Sequence, residues 1–248
     1  MKLSIIKKYK SIIFSAFGIF SILIIWFILS RYYVVVPSIH DVIIKFFNLL
    51  STKRIYSLFF KMIFLIIITL GASFIVAILL GVISYLWPNV SSFINPIITL
   101  LKTIPVVAII ILLFLSIGTD YAPYVATSFV IIPLIYENTI NGLNGIDNSI
   151  IDDIKTVSNI NFKVVFIFYI PYIIPNIITS TIQSFGLGLK VMLMTEYMSP
   201  NRNTFGAEIR RYYEDFNMEA VYAIVLLVLI MVFITDVILK VFRKKYSN

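Results

Sequence analysis

Six apolar runs, each near or above the length of a membrane span, constrain this chain more than anything else in it. They cover roughly 11–29, 57–86, 93–117, 121–142, 163–195 and 219–242 of 248 residues. Crossing the hydrocarbon core takes about 20 predominantly apolar residues in a helix. Irregular backbone and open sheet edges are not tolerated against lipid, so runs of this length read as helices. The sequence therefore predicts an all-α integral membrane protein with about six transmembrane helices. Several runs exceed the minimum and are expected to tilt or break.

Composition agrees. Hydrophobic residues make up 60% of the chain and charged residues only 13%, against about 45–50% and about 25% in soluble domains. There is no cysteine, which removes disulfides, thiolate metal sites and cysteine nucleophiles. A single histidine, His40, argues against histidine-based metal or acid–base chemistry, and reads as an interfacial residue. The net charge of +8 raises nucleic acid as a partner. The basic residues instead sit at the ends of the apolar runs, where they meet lipid headgroups, so no nucleic-acid role is expected.

The organisation expected is a first region, 1–35, holding a basic tail and the first span, and a second, 36–248, holding an amphipathic segment and five spans. The first run follows Lys2, Lys7, Lys8 and Lys10 and imitates a signal peptide. Its length, with no small-residue cleavage site after it, favours a span. In 38–54, Ile39, Val42, Ile43, Phe46, Phe47 and Leu50 form one face of a helix lying along the membrane. An even number of spans puts both termini on one side. The basic termini, together with Lys155 and Lys163, place that side in the cytoplasm. The loop 143–162 is then cytoplasmic too.

That loop is the polar oddity of the chain. Ser149 followed by Asp152 has the spacing of a capping box, and acids in a first turn favour the positive end of the helix dipole. Ile150, Ile154 and Val157, with Ile151 beside them, share a face. A short amphipathic helix is expected, marginal in isolation and in need of an apolar surface. That surface is either its own bundle or a partner's groove.

Other features carry weaker signals. Thr69, Ser73, Ala77 and Gly81 recur every four residues, which allows close helix packing. Pro105, Pro133, Pro171 and Pro175 remove backbone donors and bend helices, and bent helices can line an aqueous path. Lys102 and Lys190 lie inside runs, with Glu137 and Glu196 near run ends. Ionisable groups there are costly and mark solute paths. Lysines would suit an anionic solute, although Lys102 could reach the headgroups and Lys190 could pair with Glu196.

From Asp152 to Pro171 the chain resembles the EAA loop of ATP-binding-cassette importer permeases. Asp152 stands at the loop's acid, Ser158 at its glycine and Ile170-Pro171 at its Leu-Pro. Lys155-Thr156-Val157 fits the Arg-Thr-Leu of its middle, and Phe162 a common aromatic. Asp153-Ile154 replaces two alanines, and serine replaces the glycine. Lys102-Thr103-Ile104-Pro105-Val106-Val107-Ala108 is similar to the Arg-Pro-Ile-Pro-Pro-Leu-Ala of permeases for sulfonates, taurine and nitrate. Ile132-Pro133, Asn138-Thr139, Val36-Pro37-Ser38 and Thr195-Glu196-Tyr197-Met198, with Gly206 after it, extend the likeness over about 36–245.

The resemblance implies a transport subunit rather than an enzyme. Two permease chains, expected here as a homodimer, would form the path. Two cytoplasmic ATPase subunits would carry the ATP and Mg, and an extracytoplasmic binding protein would deliver a small, anionic solute. Asp152, Asp153, Ile154, Lys155, Val157, Ser158, Phe162 and Pro171 would dock the ATPase. Lys102, Pro105, Pro133, Lys190 and Glu196 would line the path. The chain carries no Gly-x-x-x-x-Gly-Lys phosphate loop, so ATP hydrolysis is expected on a separate chain. An ion-coupled secondary transporter is the alternative, but paired intramembrane acids and inverted repeats are not evident. A membrane-embedded enzyme would need a nucleophile–base or acid pair within the runs.

Overall fold

The computed structural model describes residues 2–157 and 159–246. Helices follow one another as α1 (Lys2–Tyr32), α2 (Ile39–Ser51), α3 (Lys53–Leu86), α4 (Pro88–Thr103), α5 (Val106–Ile117), α6 (Ala122–Asn144), α7 (Asn148–Val157) and α8 (Phe162–Val164). A π-helical turn (Val165–Tyr169) leads to α9 (Ile170–Tyr172), α10 (Ile174–Met198), α11 (Phe205–Glu214) and α12 (Met218–Tyr246). There is no strand among the described residues.

Among the described residues, three helices are long and apolar enough to cross a membrane: α3, α10 and the stretch Met218–Thr235 of α12. A fourth crossing arises if α4 and α5 count as one. The predicted single span 93–117 is in fact this pair, bent by 102°. The break has a local cause. Ile104, held by the following Pro105, is extended at φ −68°, ψ 131°, as a residue before proline tends to be. Pro105 then opens α5 from the N-cap position. The predicted run 163–195 is likewise broken, into Phe162–Tyr172 and α10. Pro171 cannot donate to the turn before it, and a widened turn there has the Ile170 amide reaching back to the Val165 carbonyl. Pro133, by contrast, sits buried inside an uninterrupted α6.

The chain forms two compact units. The first comprises Met1–Tyr56 and Ile209–Val228. Within it, Trp26 on α1 donates its indole N–H to the Pro37 carbonyl at 3.1 Å and packs on Tyr222 at 5.8 Å. Ser38 caps α2, accepting the Asp41 amide at 3.2 Å while its hydroxyl donates to the Asp41 carboxylate at 2.6 Å. The amphipathic reading of α2 holds with a rotated seam. Val42 and Leu49 are buried, whereas Ile43, Phe47 and Leu50 of the expected face are exposed.

The second unit comprises Ser57–Glu208 and Leu229–Asn248. The small-residue stripe of α3 packs as expected. Thr69, Ser73, Ala77 and Gly81 are all buried. The Ser73 hydroxyl bonds that of Ser128 on α6 at 3.0 Å, and a Cβ on Gly81 would lie 2.9 Å from the Thr139 methyl. α6 and α10 pack just as closely. A Cβ on Gly188 would lie 2.7 Å from Ile131, so these backbones approach because α10 has no side chain there. Tyr136, buried on α6, donates its hydroxyl to Asn95 Oδ1 at 2.8 Å and shares a hydrogen bond with the Ser84 hydroxyl at 3.0 Å, tying α3, α4 and α6 together.

Candidate coupling helix and solute path

Helix α7 begins where the loop was expected to fold, but its cap differs. Asp147, not Ser149, is the capping residue. Its Oδ1 accepts the Ser149 amide at 3.1 Å and the Ser149 hydroxyl at 3.0 Å. These donors hold the Asp147 carboxyl below its ordinary value. Both residue types make good caps, and sequence spacing alone favoured the serine with Asp152. The shift moves the helix start to Asn148 and leaves Asp152 exposed in the middle of the helix.

The apolar face of α7 seats on its own chain. Ile150, Ile151 and Ile154 pack, half-buried, against a core that includes Leu143, Ile146, Val164, Val165 and Tyr169. Of the two surfaces open to it in the sequence, the bundle takes this one. Asp152, Asp153, Lys155 and Thr156 are left on the outside. Lys155 pairs with Asp152 at 3.3 Å, and the Thr156 hydroxyl donates to the Asp153 carbonyl at 2.6 Å. Val157 ends the helix, while Ser158 lies outside the described residues. Asn161 then caps α8, accepting the Val164 amide at 3.0 Å. Phe162 opens α8, part-exposed and stacked on Phe166 at 5.0 Å. Pro171 is exposed just beyond the π-helical turn.

The path candidates separate. Lys102 is not an open cation: its ammonium donates to both Glu137 oxygens, at 2.6 and 2.7 Å. Thirty-five residues separate the two (|i−j| = 35), so only the pairing of α4 with α6 brings them together. Lys190 is exposed on α10 and lines a cavity of about 340 Å³ with Gln183, Leu187, Leu134, Val232 and Thr235. Among the described residues no carboxylate pairs with it. The pairing with Glu196 does not form, because Glu196 is engaged elsewhere. It is 3% exposed, and its Oε2 accepts the Gly206 amide at 2.9 Å at the start of α11. Gly206 must be a glycine for this contact, since a Cβ would fall 2.6 Å from that of Glu196.

Sequence reasoning passed over three contributors: Asp147, Lys61 and Asp120. Asp120 follows a glycine–threonine turn and Lys61 lies in an apolar run. Both line a second cavity, of about 220 Å³, with Glu196. Only the tertiary fold joins positions so far apart.

Against known proteins, residues 73–248 match the family model described as binding-protein-dependent transport system inner membrane component. Two solved structures are similar in fold, both inward-facing conformations of the MetNI methionine ABC transporter, in its CY5 native and CY5 SeMet soak crystal forms. Each covers 80% of this chain and 100% of its own, at 14% identity, with TM-scores of 0.68 and 0.67. Comparison with curated proteins found no match.

Proposed function

The chain belongs to the family of binding-protein-dependent transport system inner membrane components, and on that premise we propose that α7 is where a separate ATP-binding-cassette ATPase grips it. One observation carries the reading: α7 turns its isoleucines inward onto the bundle and its charges outward. A helix that only needed cover would be satisfied by that packing. The outward face then presents two carboxylates and an ammonium on a firmly anchored element. A partner that moved this face would move Leu143 at the end of α6 and Val164 and Val165 before α10 with it. ATP and Mg would act on the partner chain. In this reading α7 and both termini face the cytoplasm, a second copy of the permease completes the path, and a binding protein delivers solute from the other side.

The solute we infer is small and anionic, of the sulfonate, taurine or nitrate type. Lys190 supports this as an exposed ammonium on the cavity-lining face of α10, beside Gln183. Lys102 does not, since Glu137 neutralises it.

The test is a D152R/D153R variant purified with its co-expressed ATPase. Both side chains are exposed, so the thermal midpoint of the chain should hold. Co-purification and uptake should fall together, by about tenfold or more for the loss of two charge-assisted contacts. Intact assembly and uptake would remove α7 as the grip.

A further inference from the structure

One buried hydroxyl at the seat of α7 has no partner. Tyr169 closes the π-helical turn and is 1% exposed. Its ring packs edge-on against Tyr85 of α3, with centroids 6.1 Å apart. Its oxygen is sealed from solvent and makes no hydrogen bond. Ile150, Ile151 and Ile154 of α7 pack on the same core cluster. From that helix the charges of Lys155 and Asp152 both act on the hydroxyl. Yet those two side chains are exposed and paired with each other at 3.3 Å.

A tyrosine hydroxyl usually finds a partner when buried. One left without a partner gives up its water for nothing, and such a group calls for an explanation. Phenylalanine would fill the same space and keep the contact with Tyr85. Tyr136 shows the ordinary arrangement, its hydroxyl donating to Asn95 Oδ1 at 2.8 Å. Of the two charges that act on Tyr169, only the carboxylate can accept its proton. Asp152 follows the half-buried Ile151 directly, so a small roll of α7 about its own axis carries it toward the phenol. A carboxylate has room for several donors and can take Tyr169 from within while a partner holds it from outside. The backbone at this point is also unusual. In the turn Val165–Tyr169 the Ile170 amide reaches the Val165 carbonyl, and widened turns of this kind are frequent at functional sites. α10 begins five residues after Tyr169, at Ile174.

We propose that Tyr169 is a positioning residue for coupling: when an ATPase draws on α7, the Tyr169 hydroxyl donates to the Asp152 carboxylate, and this bond carries the pull across the widened turn into α10. This rests on the reading of α7 as the ATPase's grip and adds the side chain through which the grip reaches the span. In the resting chain the hydroxyl is unpartnered, so the bond forms only under load.

The experiment compares Y169F with the parent. For the chain alone in lipid nanodiscs, the thermal midpoint of Y169F should equal or exceed the parent's. Y136F, which removes a partnered hydroxyl, should lower it. With the co-expressed ATPase, Y169F should co-purify as the parent does. Hydrogen exchange is then followed on adding Mg and a non-hydrolysable ATP analogue. In the parent, exchange should change at the amides of α7 and also at Ile173, Asn176 and Ile177. In Y169F the change at α7 should persist, and that at Ile173, Asn176 and Ile177 should shrink by about tenfold, the worth of one hydrogen bond to a charged group. An equal response of those three amides in both proteins, or none in the parent, overturns the role of Tyr169. So does a midpoint of Y169F lowered as far as that of Y136F, since its hydroxyl would then be bonded at rest. These failures leave the grip itself standing, because D152R/D153R tests it by co-purification, without nucleotide.

Discussion

The closest backbone approach in the second unit makes the sharpest prediction. At Gly206 a methyl group would sit 2.6 Å from the Glu196 Cβ, 2.7 Å from the Leu193 carbonyl oxygen and 2.7 Å from the Tyr197 amide nitrogen. Two of these three are backbone atoms of α10, which cannot swing aside as a side chain can. G206A therefore forces the start of α11 away from α10. Overpacking of this kind costs about 1–3 kcal/mol, and stretching the bond to the Glu196 carboxylate forfeits about 1.5–3 kcal/mol more. The sum, about 2.5–6 kcal/mol, is a large part of the stability of an ordinary domain. In a chain of this size it should lower the thermal midpoint by roughly 5–24 °C. Gly71 supplies the control, because nothing lies within 4 Å of a Cβ built there. G71A should be neutral or stabilise by about 0.5–1 kcal/mol, since alanine suits a helix interior better than glycine. The measurement is thermal unfolding of the purified chain by intrinsic fluorescence, both variants in one detergent. If G206A melts with the parent, or G71A falls as far as G206A, the argument from close approach is refuted.

Other variants probe separate parts of the structure. Y136F leaves Ser84 Oγ and Asn95 Oδ1 without their shared hydroxyl partner and should cost about 1–3 kcal/mol, read as a lowered thermal midpoint. In a transport assay, K190Q should raise the KM for an anionic solute several-fold, whereas K102Q, whose charge is already answered by Glu137, should shift it far less. D147A should speed hydrogen exchange at the amides that open α7, and D147N, which can still cap, should not. The pH dependence of that cap has a defined sign. Because the Asp147 carboxyl is held below its ordinary value, its contribution is fully present above that value and fades only as pH falls through the lowered one. Exchange protection at the start of α7 should thus be flat across neutral pH and drop only in acid.

Local chemistry was legible in the sequence where neighbours along one helix decide it. The four-residue stripe on α3 and the amphipathic pattern of α7 both appear in the fold. Breaks within apolar runs were less legible. Hydropathy sums over a window and does not register that Ile104 before Pro105 leaves the helix, or that the turn before Pro171 widens. The candidate site was legible in proportion to sequence distance. Asp152, Asp153 and Lys155 fall on one short helix and could be placed together in advance. Lys102 with Glu137, Glu196 with Gly206, and Lys61 with Asp120 are joined by packing between helices, which no spacing rule encodes. The direction of the α7 isoleucines was open for a related reason: periodicity gives a face but not what covers it.

The same two helices carry both ends of the proposed mechanism, and the way they meet bears on how one end could act on the other. α6 ends beside α7 and begins beside the cavity. α10 starts just after the turn that receives α7 and ends at Met198, with Glu196 in its last turn. Between them lies no compliant layer. A Cβ on Gly188 would meet Ile131 and Thr127 at 2.7 and 3.2 Å, and one on Gly142 would meet Asn176 and Ile173 at 3.2 Å each. Interiors packed this closely move between discrete arrangements and do not deform by degrees. A displacement of α7 by its ATPase would therefore carry α6 and α10 as one body, rather than dissipate between them, and would arrive at the walls that hold Asp120 and Glu196. G188A separates this from a local effect. It does not touch α7, so assembly with the ATPase should persist. Uptake per ATP hydrolysed should drop, because the seam that joins α6 and α10 has been forced apart. Uptake that stays in proportion to hydrolysis in G188A would mean that the two ends communicate by another route.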